Sequence, residues 1–321
     1  MKNRQIYAKI LTFSFWRVVY SLLGILALIV LPVIAGLLTY SNPSVFAVAV
    51  IVALLAGVVV NFMLGRYASY MITCGQIAMI ERGLSTGEMP KDVFKAGKAA
   101  VKARFVTANV YFVLKGITGS ITREITSVVN KFTGEGNNKN DTVSTIASLI
   151  SLGIAVVLEY VNYCSLAWVF HKKEQNAFKS TCDGAVIYFQ NWKTLLGNVG
   201  KILGITVLSL AVICLPLIVG SVVLFVGVEP IAMVCEAIDA AFELELGTVA
   251  MMSALVVAIM LWSALHGAFI KPYIMVSVMR GYIAAGDANP PKVDIYGKVA
   301  DISKSFKKAL GKAQESGEVM A

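Results

Sequence analysis

The chain has 321 residues, of which 57% are hydrophobic and 15% are charged. Because so few charged side chains cannot form the surface of a soluble protein of this length, the composition predicts a polytopic membrane protein. The predicted spans use up most of the chain, so we expect no separate soluble enzyme domain. The net charge of +9 is accounted for by basic loops beside lipid headgroups and does not require nucleic acid as a partner.

The first predicted element is a transmembrane hairpin within residues 1–90. Its apolar runs, Val18–Leu38 and Val45–Leu64, each reach the roughly 20 residues that cross a bilayer. The first run is longer than the apolar core of a signal peptide, so we expect it to be retained. Basic residues without any acid precede it, whereas the connection Thr39–Ser44 is uncharged. Since basic flanks stay inside, the N-terminus should be cytoplasmic.

Residues 91–142 are predicted to form basic amphipathic helices and a loop on the cytoplasmic side. Apolar residues recur there at steps of three and four, with lysines and arginines between them. Such a helix beside membrane spans lies in the headgroup layer, where each basic side chain gains about 1 kcal/mol from anionic lipid. The side chains predicted to contact lipid headgroups are Lys91, Lys95, Lys98, Lys102 and Arg104.

The apolar segment Thr145–Phe170 does not fit a simple count of spans. A crossing there would place the basic residues that follow it on the outer side, and Glu159 and Asn162 lie within it. We therefore interpret residues 143–202 as a membrane-associated or re-entrant helix followed by a second amphipathic helix, Phe178–Trp192. Five spans with one terminus outside is the alternative topology.

A second transmembrane hairpin is predicted within residues 203–290. Its runs are Ile205–Val228 and Val249–Ile270, and the loop between them carries acidic residues without a single Lys or Arg, which places it outside. We expect a turn at Gly286–Pro291 and then a basic cytoplasmic tail, residues 291–321. The sequence thus predicts an all-α polytopic membrane protein with four spans, both termini cytoplasmic, and amphipathic or re-entrant helices on the cytoplasmic side.

The two predicted hairpins share a motif. Leu-Pro-Val-Ile-Ala-Gly at residues 31–36 corresponds to Leu-Pro-Leu-Ile-Val-Gly at residues 215–220, and each hairpin leaves the membrane through an Arg-Gly pair. We interpret this as two pseudo-repeated hairpins, an arrangement common in membrane transporters, with chance similarity between apolar runs as the alternative. Pro32 and Pro216, one in each copy, are predicted to kink their helices, with a role in packing alone as the alternative.

Candidate chemistry is confined to polar side chains within or beside the apolar runs. No nucleophile, nucleotide-binding or metal-binding motif is present, and His171 and His266 have no partner at ligand spacing. The sequence therefore predicts no enzyme, no metal and no cofactor. The side chains predicted to line a substrate or ion pathway are Glu159, Asn162, Asn61, His266 and Arg66. A structural role in helix pairing is the alternative for each, including an ion pair of Glu159 with Arg66 or a lysine.

Short motifs follow one another in the C-terminal half. They are Leu158–Tyr163, Asn176–Ser180 and Gly184–Trp192, followed by a span, an outer loop, another span and a basic tail. This succession resembles the closing part of the choline transporter-like membrane proteins. The resemblance implies a pair of cytoplasmic-side helices before the last two spans and permeation of a small organic cation such as choline.

Two functions remain open at the level of sequence. One is a transporter-like protein for a small organic cation such as choline, and the other is a non-transporting scaffold or anchor that docks a cytoplasmic partner or organises lipid. The expected partners are membrane lipids and no nucleic acid, with a homo-oligomer and a cytoplasmic protein partner both open. We expect a multi-pass protein of the plasma membrane or of a bacterial cytoplasmic membrane.

Overall fold

The computed structural model describes residues 1–64, 69–104, 160, 162–191 and 199–315. Within these residues the regular structure is helical and no strand occurs, which confirms the all-α prediction. The chain divides into two compact units, each assembled from separate stretches of sequence. Unit 1 comprises Met1–Ile10, Cys74–Gly204 and Tyr273–Ala321, and unit 2 comprises Leu11–Thr73 and Ile205–Pro272.

The helices are numbered here in chain order. They are α1 (Asn3–Thr39), α2 (Pro43–Met63), α3 (Ser69–Ser85), α4 (Val93–Arg104), α5 (162–171), α6 (Ala177–Gln190), α7 (Val199–Ser209), α8 (Leu215–Gly227), α9 (Glu229–Ala241), α10 (Thr248–Leu265), α11 (Lys271–Ala288), α12 (Val293–Ile302) and α13 (Lys304–Glu315). The π-helical segments Leu210–Cys214 and His266–Ile270 join α7 to α8 and α10 to α11.

By length and composition, four helical stretches in the described part of the chain are able to cross a membrane. They are Asn3–Thr39, Val45–Met63, Gly204–Gly227 and Thr248–Ala288. Each contains or closely matches one of the four predicted apolar runs, so the expectation of four long apolar helices is confirmed. These helices support a membrane protein, because a chain that presents so much apolar helix surface needs lipid around it.

The two prolines predicted to kink helices have different surroundings. The α-helix α1 is continuous through Pro32. Pro216 lies in the first turn of α8, immediately after the π-helical segment Leu210–Cys214. A proline lacks a backbone N–H and its ring crowds the preceding turn, so a wider turn upstream accommodates it. The α-helical path is therefore interrupted before Pro216 and uninterrupted at Pro32.

Unit 2 has an apolar core to which several helices contribute. Its buried members are Ile25, Phe225, Cys235, Ala250, Ala254 and Val257. The small residues Ala250 and Ala254 lie four apart on α10, a spacing that gives neighbouring helices close access to the same face. The acidic connection between the third and fourth runs is the helix α9, whose Val234 packs against Phe46 and Val50 of α2.

A buried carboxylate completes the turn between α9 and α10. Asp239 is 1% exposed, and its two oxygens accept hydrogen bonds from the backbone N–H groups of Gly247 at 2.8 Å and Val249 at 3.0 Å. Gly247 has φ of +85°, a conformation that favours glycine. The free N–H groups at the start of α10 are thus satisfied by a negative charge, which the helix dipole also favours.

Unit 1 is built around α6. Residues 180–188 of this helix are all buried, and Cys182, Ala185 and Val186 pack against apolar side chains of α12 and α13. The amphipathic pattern predicted a surface helix over Phe178–Trp192, whereas the structure covers the centre of α6 with protein. The C-terminal helices of the basic tail provide part of that cover, with Tyr296 and Phe306 buried in the same cluster.

The turn predicted at Gly286–Pro291 begins later than the sequence indicates. Helix α11 continues through Gly286 and Asp287 and ends at Ala288. A Cβ added to Gly286 would lie 2.6 Å from Cζ3 of Trp168, so a side chain at this position would collide with the indole. Glycine is needed here for close packing of α11 on α5, and not for a turn.

Candidate functional site

The structure distributes the predicted pathway residues over both units. Asn61 in α2 and His266 after α10 belong to unit 2, whereas Asn162 lies at the start of α5 in unit 1. Arg66 and Glu159 lie outside the described residues. The predicted ion pair between Arg66 and Glu159 therefore stays a prediction.

Asn61 borders a cleft of about 340 Å³ within unit 2. We call it the unit 2 cleft, and its lining residues are Arg17, Ser21, Ile25, Asn61, Ile259, Met260, Ser263 and Ala264. The residues of α1 in this lining lie four apart and so occupy one face of that helix. A few polar groups set among apolar side chains in a concave surface are typical of sites that bind small molecules.

Arg17 is held in place by a backbone carbonyl group of the π-helical segment that follows α10. Its Nη1 donates a hydrogen bond to the carbonyl oxygen of Gly267 at 2.7 Å. A Cβ added to Gly267 would lie 3.1 Å from Nη2 of Arg17, so glycine lets the guanidinium lie against the π-helical segment His266–Ile270. In the sequence Arg17 was only a basic flank of the first run, because its partner is 250 residues away.

His266 follows Ser263 by one turn but is not among the lining residues of the cleft. Its ring stacks on Trp262 with the centroids 5.2 Å apart, and its Nε2 lies 3.5 Å from Oγ1 of Thr206 in α7. These contacts join α7 to the end of α10. Contacts of this kind pair helices, and the pathway role of His266 stays a prediction.

A second polar cluster, the His171 cluster, lies in unit 1 and was not anticipated from the sequence. Nδ1 of His171 lies 3.0 Å from Oε1 of Glu81, and Nε2 lies 3.0 Å from Oδ1 of Asp287. Ser85 donates to the same oxygen of Glu81 at 2.7 Å. Lys172 lies 3.5 Å from Oδ1 of Asp287. The cluster therefore joins α3, α5 and α11 through side chains that are far apart in sequence.

The charge state of His171 follows from these contacts. The hydrogen bond to Glu81 raises the pKa of His171 most, burial lowers it, and Asp287 raises it further, with a net upward shift. The protonated ring can donate to both carboxylates, whereas the neutral ring has only one N–H. The two carboxylates contact opposite edges of the ring and do not converge on one point, as ligands of a metal ion must.

Arg104, predicted to contact lipid headgroups, instead binds backbone within unit 1. Its guanidinium donates to the carbonyl oxygens of Val169 at 3.1 Å, Lys172 at 3.1 Å, Lys173 at 2.8 Å and also Gln175. These carbonyls lie at and beyond the end of α5, where a helix leaves its last acceptors unsatisfied. The other side chains predicted to contact headgroups, Lys91, Lys95, Lys98 and Lys102, are exposed.

No protein-family model, curated protein or solved structure matches this chain. The resemblance to choline transporter-like membrane proteins therefore stays a prediction. The function has to be inferred from the unit 2 cleft and from the packing of the tail in unit 1.

Proposed function

We propose that this chain is a transporter-like membrane protein whose ligand binds in the unit 2 cleft. One observation carries this function: Arg17, Ser21, Asn61 and Ser263 border a single cavity among helices that are long and apolar enough to cross a membrane. Polar and ionisable groups in such helices are costly, so each of them is a candidate for a ligand site or a pathway.

The finer topology belongs to this proposal. We place both termini in the cytoplasm and the chain in a plasma membrane or a bacterial cytoplasmic membrane as a multi-pass protein with two pseudo-repeated hairpins. The acid-free basic start of the chain supports this orientation. Arg17 precedes the apolar run of α1 and Asn61 lies near the end of α2, so the cleft would lie towards the cytoplasmic ends of both helices.

The described lining residues of the unit 2 cleft do not support the hypothesis of a cationic ligand such as choline. Its described lining residues include the guanidinium of Arg17 and no carboxylate. An organic cation is favoured by an opposite charge close to it, and the attraction is stronger where little water is present. The organic-cation hypothesis therefore depends on Glu159, whose position is outside the described residues.

The scaffold or anchor function is the second candidate. It is favoured by the exposed lysines of the tail, Lys304, Lys307 and Lys308, which could hold an acidic partner. The apolar face of the same helix is unavailable to a partner, because Phe306 and Ala309 are buried against α6. A partner that docks on this helix would therefore have to bind mainly through charge, and such binding is weak and sensitive to salt.

Blocking the cleft without disturbing its scaffold tests the transporter-like function. Ser263 is exposed and lines the cleft, so the indole of Ser263→Trp should fill the mouth of the cavity. The control is Met252→Trp, which places the same side chain at an exposed position of α10 that does not line the cleft. Each protein would be extracted from its native membrane in a detergent-free polymer, and its bound small molecules and lipids identified by mass spectrometry.

We expect a common molecule in the wild type and in Met252→Trp that is missing from Ser263→Trp. That molecule, loaded into proteoliposomes, should then cross the membrane only when an unblocked protein is present. The same bound molecules in all three proteins would reject the cleft as the functional site. A stoichiometric protein partner that survives Ser263→Trp would support the scaffold function instead.

A further inference from the structure

We propose that the ligand of the unit 2 cleft is an uncharged membrane lipid with a small, hydroxyl-bearing headgroup, of the diacylglycerol class. The class of ligand presupposes the function proposed above for the cleft. Three properties of the cleft support it: neutral polar side chains that have no hydrogen-bond partner among the described residues, a lining without an available charge, and an opening onto the outside of unit 2.

Three neutral polar side chains from three different helices line the cleft. They are Ser21 of α1, Asn61 of α2 and Ser263 of α10, and no hydrogen bond between the described residues involves any of these side chains. Hydroxyl groups elsewhere in the apolar helices do have partners: those of Thr39 and Ser209 each donate to a backbone carbonyl oxygen at 2.7 Å. Because a polar group without a partner is costly in an apolar environment, a ligand that supplies hydrogen bonds is favoured in the cleft.

The charge of the lining does not select a charged ligand. Arg17 is already engaged by the protein, because its Nη1 donates to the carbonyl oxygen of Gly267 at 2.7 Å. No described lining residue is acidic, and the other polar residues of the lining are neutral. A charged headgroup would therefore give up its water without gaining a dedicated partner of opposite charge, which is unfavourable. An uncharged headgroup avoids this cost.

The polar groups and the size of the cleft fit a glycerol-like headgroup. A serine hydroxyl and an asparagine amide can each donate and accept, so together they can bind a hydroxyl group and the carbonyl oxygens of esters. The volume of about 340 Å³ lies near the lower end of the range for small-molecule sites, which runs from about 300 to 1,000 Å³. The cleft therefore suits a small headgroup and not one that carries several sugar rings.

The opening of the cleft favours a lipid over free glycerol. Ile259 is 46% exposed and Ser263 is exposed, so the cleft opens onto the outside of unit 2. In a membrane the outer surface of these apolar helices faces acyl chains. The apolar side chains of Ile25, Ile259 and Met260 lie beside the polar groups and can contact the start of such chains. Ser21 lies in the first turn of the run Val18–Leu38, just below the level of the headgroups, where the esters of a lipid are found.

The test is a competition between lipids for the full-length purified protein in a neutral detergent. The micelles would contain dioleoylglycerol, phosphatidylglycerol and phosphatidylcholine in equal amounts, and native mass spectrometry would measure the bound fraction of each. We expect dioleoylglycerol to be bound in excess of the other two. Ser21→Ala and Ser263→Ala each remove one hydrogen bond and should weaken its binding about fivefold. Ser253→Ala, the same change at a position of α10 that does not line the cleft, should have no effect.

Alanine is well tolerated in helices, so the serine variants should fold. Ser263→Trp should abolish the binding of dioleoylglycerol, and Met252→Trp should not. Glycerol that binds as tightly as dioleoylglycerol would overturn the lipid assignment. A phospholipid that is bound in excess and is lost in Ser263→Trp would overturn the uncharged class, while the cleft remains the functional site. Lipid binding that is insensitive to Ser263→Trp, or no bound lipid at all, would reject the cleft as a lipid site.

Discussion

Gly24 of α1 lies directly against Asn61 of α2: a Cβ at residue 24 would come within 2.4 Å of Oδ1 and 3.2 Å of Cα of Asn61. Gly57 of α2 likewise lies close to α1, since a Cβ at residue 57 would lie 3.0 Å from the carbonyl oxygen of Ala27. Glycines on both helices therefore allow the close crossing of α1 and α2 that holds Asn61 at the unit 2 cleft.

Gly24→Ala should destabilise unit 2. The added methyl group has to displace the backbone or the amide of Asn61, and overpacking of this kind costs about 1–3 kcal/mol. Denaturant unfolding of the purified protein in detergent measures the loss. Gly220→Ala is the matched control, because nothing lies within 4 Å of a Cβ at that position. Equal stability of the two variants would contradict a tight crossing at Gly24.

The stability of unit 1 should depend on the protonation of His171. Its pKa is raised above the ordinary value of 6.5, chiefly by the hydrogen bond to Glu81, so the folded state binds the proton more tightly than the unfolded state. This stabilisation is complete below about pH 6.5 and is lost as the pH rises through the raised pKa. We expect the apparent Tm in detergent to fall over that range.

His171→Gln should flatten this pH dependence, because glutamine does not titrate. The other histidine of the chain gives the matched control: His266→Gln should retain the wild-type fall in Tm. If His171→Gln keeps the full pH dependence, another group is responsible for it. Glu81→Gln should reduce the dependence more than Asp287→Asn, since the hydrogen bond to Glu81 is the largest single cause of the raised pKa of His171 and Glu81 is the more buried carboxylate.

Arg104→Ala should be among the more damaging substitutions in unit 1. It leaves several partly buried carbonyl oxygens without their donor, and unsatisfied groups of this kind cost about 1–3 kcal/mol each. Arg104→Lys should recover only part of the loss, because an ammonium group lacks the planar fork that reaches several carbonyls at once.

Hydrogen exchange followed by mass spectrometry would locate the effect of Arg104→Ala. Protection should fall in residues 162–175 and stay unchanged in α10 of unit 2. Lys102→Ala, at an exposed position two residues earlier on α4, should leave protection in both regions as in the wild type. A change that is equal for the two variants would indicate loss of charge and not loss of the carbonyl contacts.

Phe306→Ala should loosen the tail from α6. Phe306 is fully buried, and truncation of a buried phenylalanine costs about 3–5 kcal/mol. Cys182 lies in the same cluster, and burial raises the pKa of its thiol, so it should react slowly with a maleimide in the wild type. Labelling of Cys182 should accelerate in Phe306→Ala and stay slow in Lys307→Ala, which changes the exposed neighbour. Slow labelling in both variants would contradict the docking of the tail on α6.

The sequence by itself determined the helical class and the positions of the four long apolar helices. An apolar run is a local property, and in lipid the backbone of such a run has to satisfy its own hydrogen bonds, which leaves the helix as its structure. Each run sets where its helix crosses the apolar layer, although Asn3–Thr39 and Thr248–Ala288 continue well beyond their runs. For the same reason Asn61 was recognisable as a candidate, since a polar residue inside an apolar run is visible without any partner.

Only the tertiary structure decided which polar groups meet. Arg17 is hydrogen-bonded to Gly267, which is 250 residues away in sequence. His171 contacts Glu81 and Asp287, which are 90 and 116 residues away in sequence. Periodicity describes one helix at a time and contains no information on such distances. It also misled at α6, which was predicted to be a surface helix and which contains Asp183. Its carboxylate is in fact buried, because Lys179 and the hydroxyl of Tyr296 both donate to it, and a buried charge is tolerated only when it is paired in this way.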